Sequence, residues 1–325
     1  MRYQPLGNSG LVVSVVGIGC NNFGRKLDLD GTRAVVDAAI DHGVTLFDTA
    51  DVYGQGKSEE LLGKALGGRR DQVVVATKFG NPGSDLGYGP AAGSFGGRAY
   101  IRRAVEGSLK RLGTDYIDLY QLHAPDPDVP IDETLTALHE LVQEGKVRYI
   151  GHSNLNGWEI ARAAHVAGEL GITSFVSAQN HWSLLERDAE IEVVPASVEY
   201  GLGILPYFPL ANGLLTGKVR RGVEPAEGTR LATREGYVTE AKLDKVEALI
   251  GWADKNGRSL LDLAIGGLAA LPGCSSVIAG ATKPEQVAAN VAAGQWEPSP
   301  EELAEIDALV PVRGHEASIY RWPGK

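Results

Sequence analysis

The stretch TLFDTADVYGQGKSEELLGKAL, residues 45–66, reads as one strand-turn-helix unit. An apolar, β-branched run stops at Asp48, a turn carries Tyr53 among glycines, and a helix is expected from Ser58. The unit recurs along the chain. Short apolar runs occupy 15–19, 45–48, 72–78, 117–123, 147–153, 175–180, 203–209 and 275–280. Helix-like segments occupy 31–42, 58–67, 98–112, 131–144, 156–169, 188–200, 239–270 in two pieces, and 284–293. Eight strands alternating with helices, without a break in composition, predict an α/β fold: a (β/α)8 barrel forming one domain over 1–325, with an N-terminal hairpin. Right-handed crossovers between consecutive parallel strands make closure the natural outcome.

Composition narrows the partners. At 325 residues, 43% hydrophobic and 22% charged, the chain has a globular balance. A net charge of −10 repels a phosphate backbone or an anionic membrane, which argues against both as partners. Cys20 and Cys274 have no CxxC spacing, so neither a disulfide framework nor a zinc knuckle is readable, and a reducing compartment fits. The apolar run 11–19 lacks a basic flank and falls short of the ~20 residues that span a bilayer. It is read as a strand, and the protein as cytoplasmic.

Two connections are too long to be simple turns. Residues 80–97 and 208–238 both leave the C-terminal ends of predicted strands, where long loops serve as clamps or lids. That same face collects polar side chains: Asp48 and Tyr53, Lys78, His123, Ser153 and Asn154, Gln179 and Asn180, and Tyr207. Four of them suit proton transfer. A phenol with a pKa of ~10 donates poorly at neutral pH, and a neighbouring ammonium favours its phenolate. Lys78 is the candidate ammonium, Asp48 the carboxylate that keeps it charged, and His123 the group that holds a substrate oxygen against Tyr53. Each has a structural alternative: Asp48 as a turn acceptor, Lys78 on the surface, His123 in a loop, Tyr53 at a rim. Their joint occurrence at consecutive strand ends favours chemistry.

These stretches, with VVVATKFG, DYIDLYQLHAPDP, GKVRYIGHSNL and AGATKPEQVAAN, resemble the aldo-keto reductase superfamily in order and spacing over residues 11 to 293. The resemblance implies NADPH bound in extended form on a barrel, with NADH not excluded, and reduction of a small-molecule aldehyde or ketone. The family's tetrad falls on Asp48, Tyr53, Lys78 and His123. The resemblance also implies that Ser153, Asn154 and Gln179 hold the nicotinamide carboxamide and that Tyr207 stacks on the ring. Phe208, Pro209, Leu210, Ala211, Gly213 and Lys218 wrap the pyrophosphate, while Gly280, Thr282, Lys283, Gln286 and Asn290 surround the adenosine. Where many members place a Lys-Ser pair and then an Arg for the 2′-phosphate, this chain has Gly280, Ala281 and Gln286. Lys283 with Arg220, Arg221 or Arg230 is the substitute source of charge.

GIGCNN, residues 17–22, is an incomplete dinucleotide fingerprint, with Asn22 in place of the third glycine. As the end of the first barrel strand it is expected to pass close to nicotinamide and substrate through Gly19 and Asn21. Substrate contacts are expected from Phe23, Tyr53, Tyr88 and His123. Phe23, Tyr88, Phe95, Trp182 and the tail EASIYRWPGK suggest a lipophilic or aromatic carbonyl, with sugars left open. Three rivals stand beside this reading. His123, His152 and His181 near three strand ends suggest a metal-dependent hydrolase, although no metal site is expected. Lys78 suggests a Schiff-base aldolase. The third is a nicotinamide-binding regulatory subunit with little turnover.

Overall fold

The computed structural model describes residues 1–84, 86–222, 231–234 and 236–312. An antiparallel hairpin of β1 (Tyr3–Pro5) and β2 (Val12–Ser14) precedes eight parallel strands. These are β3 (Val16–Gly19), β4 (Leu46–Asp48), β5 (Val74–Phe79), β6 (Ile117–Leu122), β7 (Val147–Ser153), β8 (Ser177–Gln179), β9 (Gly203–Ile204) and β10 (Val277–Gly280). Their order is β10-β3-β4-β5-β6-β7-β8-β9. Two bridges, Ile204 to Cys274 and Tyr207 to Ile278, join the outer strands and close the (β/α)8 barrel.

Helices α1 (Leu29–Asp41), α2 (Lys57–Leu66), α3 (Arg98–Leu112), α4 (Ile131–Gln143), α5 (Gly157–Leu170) and α6 (Val193–Glu199) follow β3 to β8 in turn. After β9 come α7 (Glu240–Lys255) and α8 (Leu260–Asp262), the latter continued by a wide turn at Leu263–Gly267; α9 (Pro284–Ala293) and α10 (Pro300–Leu309) follow β10. Among the described residues no helix is long and apolar enough to cross a membrane.

Alternation along the strands separates two cores. Inward residues Leu46, Ala76, Leu119, Leu205 and Ile278 meet Leu6, Leu11 and Val13, so the hairpin plugs the barrel's N-terminal end. Outward residues such as Phe47, Phe79 and Ile150 pack under the helices. Packing is tight at α2 against α3, where a methyl group on Gly63 would sit 2.1 Å from the Leu112 carbonyl oxygen. Gly63→Ala is therefore expected to cost about 1–3 kcal/mol by overpacking. A urea midpoint unchanged from wild type would show that the helices separate freely.

Several sequence boundaries shift. The run 11–19 is two strands in two sheets, broken at Val15. The run 203–209 holds only a two-residue strand because Pro206 has no N–H for a ladder. Segment 188–200 begins as a single tight turn, Asp188–Glu190, before α6. Helix α10 was not expected, although Ser299 and Glu302 form a full capping box ahead of it.

Candidate active site

One strand step above the inner apolar layer, the inward positions become polar. Asp48 lies two residues beyond Leu46, Lys78 beyond Ala76, and Gln121 beyond Leu119. Lys78 Nζ donates to Asp48 Oδ2 at 2.6 Å and to the Thr49 carbonyl at 2.9 Å, and both side chains are buried. The second oxygen, Asp48 Oδ1, accepts from Gln179 Nε2 at 2.9 Å and Gln121 Nε2 at 3.2 Å. Burial acts to lower the Lys78 pKa, but the Asp48 carboxylate and Tyr53 outweigh it and hold the ammonium above its ordinary value. The lysine stays charged.

Tyr53 hangs over this pair from the turn between β4 and α2. Gly54, Gln55 and Gly56 all take left-handed backbone angles, which reverses the chain just after the tyrosine. Lys78 Nζ lies 5.2 Å from the Tyr53 ring centroid, and the His123 ring stands edge-on to it at 6.0 Å. Burial raises the phenol above its ordinary value; Lys78 pulls it down without overturning the rise. The expected net acidification is thus absent. His123 follows β6, with a pKa pushed down to about 3 by burial and then by Lys78, so its imidazole is neutral.

The three histidines do not converge. His152 is fully buried beside Phe175, with ring centroids 5.2 Å apart, whereas His181 stacks on Tyr207. Burial lowers His152 to about 3, and neither ring nitrogen has a protein partner. Its folded pKa lies below the ordinary value near 6.5, so the unfolded chain takes up the proton first. The stability it contributes is complete above pH 6.5 and is lost as pH falls toward 3. Between pH 6 and 5 this one residue is expected to cost ~1.4 kcal/mol per pH unit. Urea unfolding of wild type and His152→Leu across that range checks it: equal slopes refute the assignment.

A cavity of about 640 Å³ opens above the pair. Asp48, Tyr53, His123, Ser153, Asn154 and Gln179 line it, as do Gly19, Asn21, Tyr207, Phe208, Pro209, Leu210, Gly213, Gly280, Thr282 and Gln286. Asn154, at φ 63°, donates to the His123 carbonyl at 2.9 Å and accepts from the Tyr207 hydroxyl at 2.8 Å. Ser153 donates to the Gln179 carbonyl at 2.7 Å. The residues present fit an extended dinucleotide. Asn212 lines the cavity with both amide atoms shielded and unpartnered, and left-handed angles at Phe208, Ala211 and Asn212 curl the chain around the opening.

Other expected contacts lie elsewhere. Phe23 is buried in the shell between strands and helices, and Tyr88 packs edge-on against Tyr100, so neither lines the cavity. Trp182 is buried and donates to Glu190 at 2.8 Å; Phe95 is also outside the lining. Ala211 belongs to a core under the loop, Lys218 and Lys283 are exposed beyond the lining, and Asn290 is buried behind it on α9. The charge sought for a 2′-phosphate is committed in two cases. Arg220 pairs with Glu247 at 2.7 Å, and Arg221 pairs with Glu240 and Asp244. Arg230 and the tail from 313 onward lie outside the described residues. Thr282 N–H and hydroxyl both donate to Gln286 Oε1, at 2.7 and 3.1 Å.

The sequence reading also passed over residues that line the cavity, among them Lys26 and Asn81. It missed Gln121 as an Asp48 partner, although strand alternation puts Gln121 on the same face as His123. Asp51 went unnoticed as well. Its carboxyl is fully buried with no side-chain hydrogen bond, and burial, with Glu59 adding, raises it to about 8.

The chain belongs to the aldo/keto reductase family, whose sequence model matches residues 15–311. It is 38% identical over 99% of its length to the whole of an uncharacterised oxidoreductase from Bacillus subtilis. It is 37% identical, over 99% of the chain and all of the relative, to a probable voltage-gated potassium channel subunit beta from Oryza sativa subsp. japonica. A versiconal hemiacetal acetate reductase from Aspergillus parasiticus is 33% identical, over 94% of this chain and 96% of that protein.

Proposed function

We propose that the chain reduces aldehydes or ketones to alcohols with NADPH. The observation that carries this is the buried Lys78–Asp48 pair directly beneath Tyr53, at the floor of a cavity long enough to be lined by six strand ends. A bound nicotinamide would supply hydride. Ser153, Asn154 and Gln179 would hold its carboxamide, and the Tyr207 ring would cover one face.

Tyr53 is the proton donor in this reading. Its raised pKa keeps the phenol protonated at neutral pH until an oxygen far more basic than phenolate develops beside it. The Lys78 ammonium then stabilises the phenolate left behind, and Asp48 prevents Lys78 from losing its own proton in the buried site. His123, neutral with a pKa near 3, orients the substrate oxygen by hydrogen bonding and does not itself titrate near neutrality.

Tryptophan-fluorescence titration with NADPH and NADH in parallel tests the cofactor, followed by dinucleotide oxidation over a carbonyl panel. Tighter NADPH binding with turnover supports the proposal; binding of neither overturns it. A regulatory subunit with little turnover is the second reading, favoured by the similarity to the rice channel subunit. Binding of NADPH without single-turnover oxidation across the panel would select it.

A further inference from the structure

We infer that Gln121 is a positioning residue: it fixes which end of the Gln179 amide is left for the cavity, and thereby selects the NH2 end of a bound nicotinamide carboxamide. The inference rests on the cofactor reading above and concerns how the ring is oriented.

The Asp48 carboxylate sets the direction of every bond in this group. An ionised carboxylate only accepts, so both amides that reach Oδ1 must offer nitrogen, Gln179 Nε2 at 2.9 Å and Gln121 Nε2 at 3.2 Å. Gln121 is then left with Oε1 for its neighbour, and Gln179 Nε2 donates to it at 3.2 Å. The two amide hydrogens of Gln179 are thus both used. A flipped Gln179 amide would set its oxygen against Asp48 Oδ1 and Gln121 Oε1 at once.

The two glutamines stand on strands that are not adjacent, because β7 lies between β6 and β8. They meet across a missing side chain. Gly151 on β7 pairs with Gln121 on one side and with Ser177 on the other, and a methyl group there would sit 3.3 Å from Gln121 Cγ and 2.2 Å from Ser177 Oγ. Gln121 is fully buried and outside the cavity lining, whereas Gln179 is part of it. Gln121 therefore acts through Gln179.

What remains to Gln179 is its oxygen. Among the described residues no donor reaches Gln179 Oε1, and it is not one of the polar atoms sealed inside the protein without a partner. A bare acceptor takes the NH2 of a carboxamide and offers nothing to a carbonyl oxygen or a methyl group.

The test is tryptophan-fluorescence titration of the full chain, of Gln121→Met and of Gln179→Met with NADP+ and with its 3-acetylpyridine analogue, in which a methyl group replaces the carboxamide NH2. Wild type should prefer NADP+ by about tenfold, the size of one hydrogen bond withheld from a shielded acceptor. Gln179→Met should lose the preference, and Gln121→Met should reduce it to about threefold, the low end for one hydrogen bond, with affinity for the analogue nearly unchanged. Gln121→Asn, one methylene too short to bridge both partners, gives the same readout if Gln121→Met does not fold. A wild-type preference retained in the Gln121 variants overturns the proposal, and so does an equal loss of affinity for both dinucleotides, which marks a purely structural role. Wild type binding both equally overturns it too, because the acceptor then selects nothing. Wild type binding neither would instead overturn the cofactor reading itself.

Discussion

Tyr53→Phe is expected to lower carbonyl reduction by about 10²-fold or more, the usual contribution of a general acid, while leaving dinucleotide affinity nearly intact. The substitution removes one oxygen from a ring held edge-on to His123 and above Lys78, so the packing is retained and the proton is lost. Stopped-flow single-turnover rates with saturating dinucleotide measure the chemical step directly. Turnover at the wild-type rate would take Tyr53 out of the mechanism. Unchanged binding with a slowed step separates proton donation from cofactor positioning.

Lys78→Met is expected to have a larger effect, because it acts on stability as well as chemistry. Without the ammonium, the Asp48 carboxylate is left buried with only the Gln121 and Gln179 amides for company. Breaking a buried pair from one side costs about 3–5 kcal/mol. The combined change Asp48→Asn with Lys78→Met should recover part of that loss, since neither charge then remains uncompensated. Activity should stay absent in both variants. Denaturant unfolding gives the first readout, and a single variant as stable as wild type would mean that Asp48 reaches solvent or another cation. The pair is more than an ordinary core contact. It keeps a cation beside the phenol at a depth where burial alone would discharge it.

The polar ring of the barrel was legible in the sequence because it obeys two local rules. Strand alternation sets Asp48 two residues beyond Leu46 and Lys78 two beyond Ala76, and a strand followed by a turn and a helix directs its C-terminal end to one face. The same alternation would have revealed Gln121. Helix α10 was equally readable from Ser299-Pro-Glu-Glu302, and Pro206 from its missing N–H.

The aromatic residues misled for a different reason. Phe23, Phe95 and Trp182 are as apolar in sequence as any pocket wall, and nothing local distinguishes a ring that faces a cavity from one that fills a core. Packing sent Phe23 under the helices and Trp182 against Glu190. The cavity received Asn21, Asn22, Lys26 and Asn81 at those loops instead.

What the sequence determined by itself was the alternation of strand and helix, the face on which polar strand ends gather, and the identity of the four residues there. These depend on neighbours a few positions away and on the chirality of crossovers. Only the tertiary structure decided that Lys78 gains more from Asp48 than it loses to burial, that the Tyr53 phenol is raised rather than lowered, and which loop residues line the opening. Those outcomes depend on distances between segments far apart in the chain and on how much water each group loses, quantities that no run of residues encodes locally.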